Sequence, residues 1–230
     1  WRRDIDFSTV YDYSKAVLTP VTAAPSPDIT AFVNRGGKLV HYHGWNDSVV
    51  PPDGSVDYFY ALTQFERLRH LPEPVFDQQI EKLTPQVVAA IGQAFGDRVR
   101  EYHRLFLLPS VAHCGGGTGP NSIGGGAPEP PVTYRDAEHH VVSAVIKWVE
   151  QGVAPEKIIA TRFGTGGAVV RQRPLCPYPA EAAYSGSGDI NDAANFSCVT
   201  PKLSERTIGP GDIMMIQNSL RQRDVKLPNR

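Results

Sequence analysis

The sequence predicts an α/β fold with a mostly parallel sheet, on three observations. Helical and strand-like segments alternate from residue 28 to residue 152, the pattern that buries a parallel sheet between helices. Two short apolar runs, Lys38-Leu-Val-His-Tyr-His43 and residues 103–108, each stop at a turn-forming stretch, as buried strands do. The second run passes through Pro109-Ser-Val-Ala-His113-Cys114 into Gly115-Gly-Gly117, so one histidine stands where a rigid strand opens into a loop. Side chains at such junctions are held by the sheet and open to a ligand.

A chain of 230 residues, 41% hydrophobic and 20% charged, can bury one substantial core, so one large domain is expected. The formal net charge of −1, with no clustered Lys or Arg, argues against a nucleic-acid or anionic-membrane partner. No apolar run approaches the roughly 20 residues that span a bilayer, and Trp1–Phe7 has no signal-peptide pattern. The three cysteines, Cys114, Cys176 and Cys198, form no Cys-x-x-Cys pair, so no metal site is expected. Cys176 and Cys198 lie in a segment with little core of its own, which a cross-link would stabilise, and that pairing is preferred. Cys114 is then the odd one out, and in an oxidising compartment it invites a sulfur from outside this chain. Asn46-Asp-Ser48 and Asn195-Phe-Ser197 are glycosylation sequons, hence candidates for modification.

In chain order, residues 1–30 read as an extended, proline-broken lead-in that looks like a continuation of something upstream. Asp28 caps a short helix that closes at Gly36-Gly37. After the strand at 38–43 and the loop Gly44–Pro52, a helix runs from near Asp53 to about His70, with Val56, Phe59, Tyr60, Leu62 and Phe65 on its inner face. Asp53 and Asp57 read as a helix cap and a helix-surface charge. Residues 71–96, punctuated by Pro72, Pro74 and Pro85, read as a helical insertion over the surface. The strand at 103–108 and a long glycine- and proline-rich loop to Pro131 follow, and long loops are often functional. Asp136–Gln151 is an amphipathic helix with Val141, Val142, Val145, Ile146 and Val149 expected inward and His139-His140 at its surface. Lys157–Arg162 and Ala168–Arg173 form a hairpin around Gly164–Gly167. The domain is expected over residues 31–200, and residues 201–230 read as a tail.

The rule that ligands bind beyond the carboxyl ends of parallel strands puts Asp47 and His113, 66 residues apart, on the same edge. An acid followed by a histidine is the end of the Ser…Asp…His order of an α/β hydrolase, in which histidine takes the serine proton and the carboxylate orients the ring. No Gly-x-Ser-x-Gly pentapeptide occurs in the 230 residues. Either the chain is a non-catalytic α/β module, or the serine lies on an upstream piece. The second alternative also accounts for the lead-in and for a cysteine beside the histidine. His41 and His43, on the strand itself, are assigned to packing behind the site, and Trp45 to the pocket wall or to packing.

Gly36-Gly-Lys-Leu-Val-His-Tyr-His-Gly-Trp45-Asn-Asp47-Ser-Val-Val-Pro-Pro52, Ala112-His113-Cys114-Gly-Gly-Gly-Thr-Gly-Pro120 and Arg173-Pro-Leu-Cys-Pro-Tyr-Pro179 together resemble the tannase and fungal feruloyl esterase family. The resemblance implies the C-terminal portion of an α/β-hydrolase fold, completed by an upstream segment or second chain. It implies that Asp47 is the catalytic acid, His113 the base, Cys114 the partner of a cysteine beside the missing serine, and Cys176–Cys198 a bridged pair. The implied protein is a secreted serine carboxylesterase acting on phenolic-acid esters. Gallate esters of tannins stand ahead of feruloyl esters, and a non-catalytic structural subunit is the rival. No cofactor is expected on these residues; the resemblance implies a calcium ion only in the lid, outside them. The expected partners are the phenolic ester and the upstream half of one processed precursor, joined through Cys114.

Overall fold

A computed structural model of the chain describes residues 6–22, 26–201 and 208–222. Helix α1 spans Phe7–Thr22. It replaces the extended lead-in expected there. Asp6 accepts from the Ser8 amide at 3.0 Å and the Thr9 hydroxyl at 2.8 Å, capping the helix, and neither Pro nor Gly interrupts residues 7–19. Helix α2, Thr30–Asn34, is opened by Asp28, whose carboxylate accepts from the Thr30 amide, and the chain reverses at Gly36 with φ +79°.

Strand β1, Leu39–Gly44, pairs in parallel with β2, His103–Leu108, so that Leu39 lies opposite His103 and Gly44 opposite Leu108. The crossover between them holds α3 (Asp53–Leu68), α4 (Glu73–Glu81) and α5 (Pro85–Arg100). Alternation along β2 divides the core in two. Leu105 and Leu107 join the layer built by α3, α4 and α5, whereas Phe106 and Leu108 face Ile123, Val141, Ala144, Ile158 and Leu175 on the other side. The segment after β4 covers the outer edge of β2, where the Tyr178 amide donates to the Leu105 carbonyl at 2.8 Å.

On that second side lie α6 (Val141–Gln151) and the antiparallel pair β3 (Ile158–Phe163) and β4 (Val169–Leu175), the hairpin the glycines at 164–167 predicted. Strands β5 (Glu181–Tyr184) and β6 (Phe196–Val199) form a second antiparallel pair, and α7 spans Pro210–Leu220. Among the described residues the strands therefore form three two-stranded sheets, one parallel and two antiparallel, not one mostly parallel sheet. Tight glycine turns after β3 reverse the chain where a parallel neighbour would need a helical crossover.

Several local expectations are corrected by packing. The insertion is not a surface layer: Phe76, Ile80, Leu83, Val88 and Val99 belong to the same core as α3. The tail is not patternless, because Ile213, Ile216 and Leu220 of α7 enter that core too. With α5 and α7 both packed on α3, Asp57 is 4% exposed rather than a surface charge. Helix α6 starts at Val141, not Asp136, and turns a different face inward. Val141, Ala144 and Trp148 are buried while Val142, Ile146 and Val149 are exposed. The indole of Trp148 sets this phase, since the Arg104 guanidinium sits 5.0 Å and the Lys38 ammonium 5.4 Å from its ring. His140, expected at the surface, is buried as the cap of α6: its Nδ1 accepts from the Ser143 amide.

Cys176 and Cys198 form a disulfide that joins the end of β4 to β6 across 22 residues. Closing a loop of that length in the unfolded chain stabilises the fold by about 3 kcal/mol. The Cys176→Ser, Cys198→Ser double variant is expected to lose that much in denaturant unfolding, with the helical signal at mild conditions unchanged.

Candidate active site

The site forms because the exits of β1 and β2 are stitched together. Beyond Gly44 the Trp45 amide donates to the Leu108 carbonyl at 2.8 Å and the Asn46 amide to the Val111 carbonyl at 2.9 Å. This approach requires a glycine at position 44, where a Cβ would stand 2.5 Å from the Val111 oxygen. One turn later the chain delivers Asp47 to the mouth of the loop that carries His113.

His113 Nδ1 lies 2.9 Å from Asp47 Oδ2. The other carboxylate oxygen accepts from the Val49 amide at 2.8 Å and the Val50 amide at 2.9 Å, so the plane of the group is set by its own loop. The Val50 amide above all, and the His113 ring and Val49 amide after it, hold the Asp47 carboxyl well below the usual carboxylate range against the opposing effect of burial. Asp47 is therefore ionised at neutral pH and can only accept, which places the proton on Nδ1 of a neutral His113 and leaves Nε2 with a free lone pair. The two side chains differ in exposure as this division requires: Asp47 is 7% exposed and His113 45%.

The histidine loop is tied down by backbone and by one arginine. The Ala112 amide donates to the Gly116 carbonyl at 2.8 Å, and Cys114 sits in the left-handed region at φ 52°. Arg162, on β3, donates to the carbonyls of Gly117 at 3.1 Å and Gly119 at 3.3 Å, and the Asn121 amide group reaches the Gly115 carbonyl. Cys114 is exposed, with a free sulfur among the described residues. Arg162 carried no signal in the sequence, because its role is set by how β3 packs beside the loop.

Behind Asp47 stands a second polar layer. His43 Nε2 lies 3.0 Å from the Val50 carbonyl and 3.4 Å from Asp47 Oδ2, and its Nδ1 lies 2.6 Å from the Ser55 hydroxyl, which is 3.1 Å from His41 Nε2. The assignment of His41 and His43 to packing behind the site matches their place, but Ser55 was missed: a serine in the first turn of a helix has no distinguishing pattern. Trp45, Val49 and Val50 remain about half exposed or more around Asp47.

Burial pushes His41 down to about 4, with His43 adding to the effect, and pushes the fully buried His103 down to about 3, helped by His41 and Arg104. Both rings stay neutral in the fold but take up protons in the unfolded chain below about pH 6.5. Stability is therefore fully present above that pH and lost as pH falls from 6.5 towards 4. His41 alone accounts for about 3 kcal/mol of the loss. Chemical denaturation at pH 7 and pH 4.5 is expected to show it, and His41→Phe to reduce it while the His103 part remains.

Asn46 is exposed beside Asp47, whereas the Asn195 side chain donates to the Asp189 carbonyl at 2.9 Å. Among the described residues no three His, Cys, Asp or Glu side chains could together hold a metal ion, and no helix is long and apolar enough to cross a membrane.

A family model described as tannase and feruloyl esterase matches residues 7–199, which include every residue of this site. The chain belongs to the tannase and feruloyl esterase family. An esterase from Xanthomonas campestris pv. campestris, itself described as uncharacterised, is 34% identical over 206 residues, covering 85% of this chain and 32% of that protein. A probable feruloyl esterase B from Aspergillus flavus is 32% identical over 176 residues, covering 75% of this chain and 28% of the relative. The crystal structure of an esterase from Aspergillus oryzae superimposes with a TM-score of 0.63 at 27% identity, over 86% of this chain and 35% of that one. The tannase-family chain thus has an α/β-hydrolase-like fold, and the relatives it matches are described as esterases. It spans about a third or less of the length of these relatives.

Proposed function

We propose that this tannase-family chain carries the acid and base of a secreted serine carboxylesterase, with the nucleophile supplied by residues outside these 230. The observation that carries the reading is the Asp47–His113 pair, oriented at 2.9 Å with the ring's second nitrogen unengaged among the described residues. The absence of a Gly-x-Ser-x-Gly elbow from the sequence supports a serine from elsewhere.

In this reading His113 Nε2 takes the serine proton as the serine oxygen attacks the ester carbonyl. The resulting imidazolium is stabilised by Asp47 and returns the proton to the departing alcohol, leaving an acyl-serine. Water then repeats the sequence in reverse: Nε2 removes its proton, the acid is released, and the proton returns to serine. Cys114, adjacent to the base, would form a disulfide with a cysteine near the serine and so hold base and nucleophile together. The apolar surface of Trp45, Val49 and Val50 beside Asp47 suits a planar aromatic ester. Gallate esters are the first choice and feruloyl esters the alternative, the latter favoured by the Aspergillus flavus relative, a probable feruloyl esterase.

Intact mass of the purified esterase before and after reduction tests the linkage: a second polypeptide, or a released mass shift, is expected at Cys114. A fluorophosphonate must label a serine outside residues 1–230. Labelling within them, or no labelling of an enzyme that hydrolyses methyl gallate or methyl ferulate, would end the proposal. The ratio of kcat/KM for those two esters decides the acyl preference.

A further inference from the structure

We propose that His43 is a positioning residue for Asp47, and that a one-way chain of hydrogen bonds from His41 through Ser55 sets the tautomer with which it does so. The proposal deepens the esterase reading, since it takes Asp47 as the catalytic acid.

The direction of the chain follows from which atoms can donate. The Val50 carbonyl, 3.0 Å from His43 Nε2, and the ionised Asp47 Oδ2, 3.4 Å from it, both only accept, so Nε2 carries the proton. In the neutral ring Nδ1 is then an acceptor, and the Ser55 hydroxyl at 2.6 Å must donate to it. The Ser55 oxygen in turn accepts from His41 Nε2–H at 3.1 Å. Each hydrogen bond in the series has one donor and one acceptor, and the last ends on the carbonyl of the loop that holds the acid, with Asp47 Oδ2 3.4 Å from the same Nε2.

The arrangement is specific to these residues and not a general property of the sheet face. Alternation along β1 and the parallel register put His41, His43 and, on β2, His103 on the side of α3. His103 is fully buried against Phe59 with neither ring nitrogen hydrogen-bonded among the described residues, which shows that this layer accepts a histidine without providing it a partner. His43 is held at both nitrogens. Asp47 Oδ1 already has two amide donors, so His43 acts on the one oxygen that also receives His113. Its N–H biases the carboxylate rotamer, and its bond to the Val50 carbonyl fixes the loop that supplies those amides. Orienting groups of this kind around a reacting pair change rate by keeping it within a fraction of an ångström of the productive geometry.

The test compares the complete esterase with its His43→Phe, His43→Gln and Ser55→Ala variants, each first checked for a cooperative thermal transition. With 4-nitrophenyl acetate, His43→Phe is expected to lower kcat about tenfold with KM within twofold. Ser55→Ala is expected to do so less. His43→Gln, whose amide nitrogen can occupy the place of Nε2, should recover most of the rate. Independently of turnover, nitrogen-15 spectra should show His113 as a single Nδ1–H tautomer in the parent and as a mixture in His43→Phe. Should that variant fail to fold, Ser55→Ala carries the same spectral expectation. An unchanged His113 tautomer in a folded variant overturns the proposal whatever kcat does. Loss of all hydrolysis by the parent would instead remove the esterase reading while the spectra still decide the positioning role.

Discussion

His113→Ala in the complete esterase is expected to lower kcat by about four orders of magnitude or more, with KM nearly unchanged. Removing the base leaves the serine without a proton acceptor and the leaving alcohol without a donor, and triad members lost singly cost on this scale. Stability should hardly move. The ring is 45% exposed and its one hydrogen bond is to Asp47, so its loss opens no cavity in either core layer. Activity measured beside denaturant unfolding separates the two: a folded, inactive variant is the expected result. A folded variant with a tenth or more of the parent rate would show that another group serves as base.

Asp47→Asn should cost nearly as much, about 10⁴-fold in kcat, for a different reason. The amide can keep one oxygen on the Val49 and Val50 amides, so the loop is retained. The other end now presents N–H to His113 Nδ1, which forces the ring into the tautomer with its proton on Nε2, where it cannot act as a base. The imidazolium also loses its counter-charge. Asp47→Ala is expected to be as inactive and in addition less stable, because the amides of Val49 and Val50 lose the acceptor that shapes their loop. A pH–rate profile checks the tautomer argument: residual activity of Asp47→Asn should rise at alkaline pH, where solvent hydroxide can substitute for the missing base.

The motif loops were legible in the sequence because their chemistry is local. The glycines at 36, 44 and 115–117 mark where the backbone must turn or pass close to another strand, and the acid and the base stand in the loops that begin there. Strands β1 and β2, the hairpin β3–β4 and the disulfide were likewise placed within a few residues. Helix α1 was missed because the prolines at 20, 25 and 27 mark an extended segment, while the Asp6 cap shows only in its bonds to Ser8 and Thr9. The inward face of α6 was misjudged because its six aliphatic residues cover about half of the helix circumference, wider than one buried stripe, and only the packing of Trp148 under Arg104 and Lys38 selects which part of that side turns inward. Arg162 and Ser55 had no signal at all, since each acts on a partner far away in the chain or on the far side of a strand.

The sequence by itself determined which residues could do chemistry: a carboxylate with amides two and three residues ahead, a histidine before a glycine run, and a cysteine beside it. Whether the carboxylate and imidazole meet was decided only in three dimensions, by the parallel register that sets Gly44 against Leu108 and by the amides of Trp45 and Asn46 bonded to the β2 exit. The physical reason is range. Turn and cap preferences act over a few residues, whereas a 2.9 Å contact between positions 66 residues apart depends on every layer packed between them.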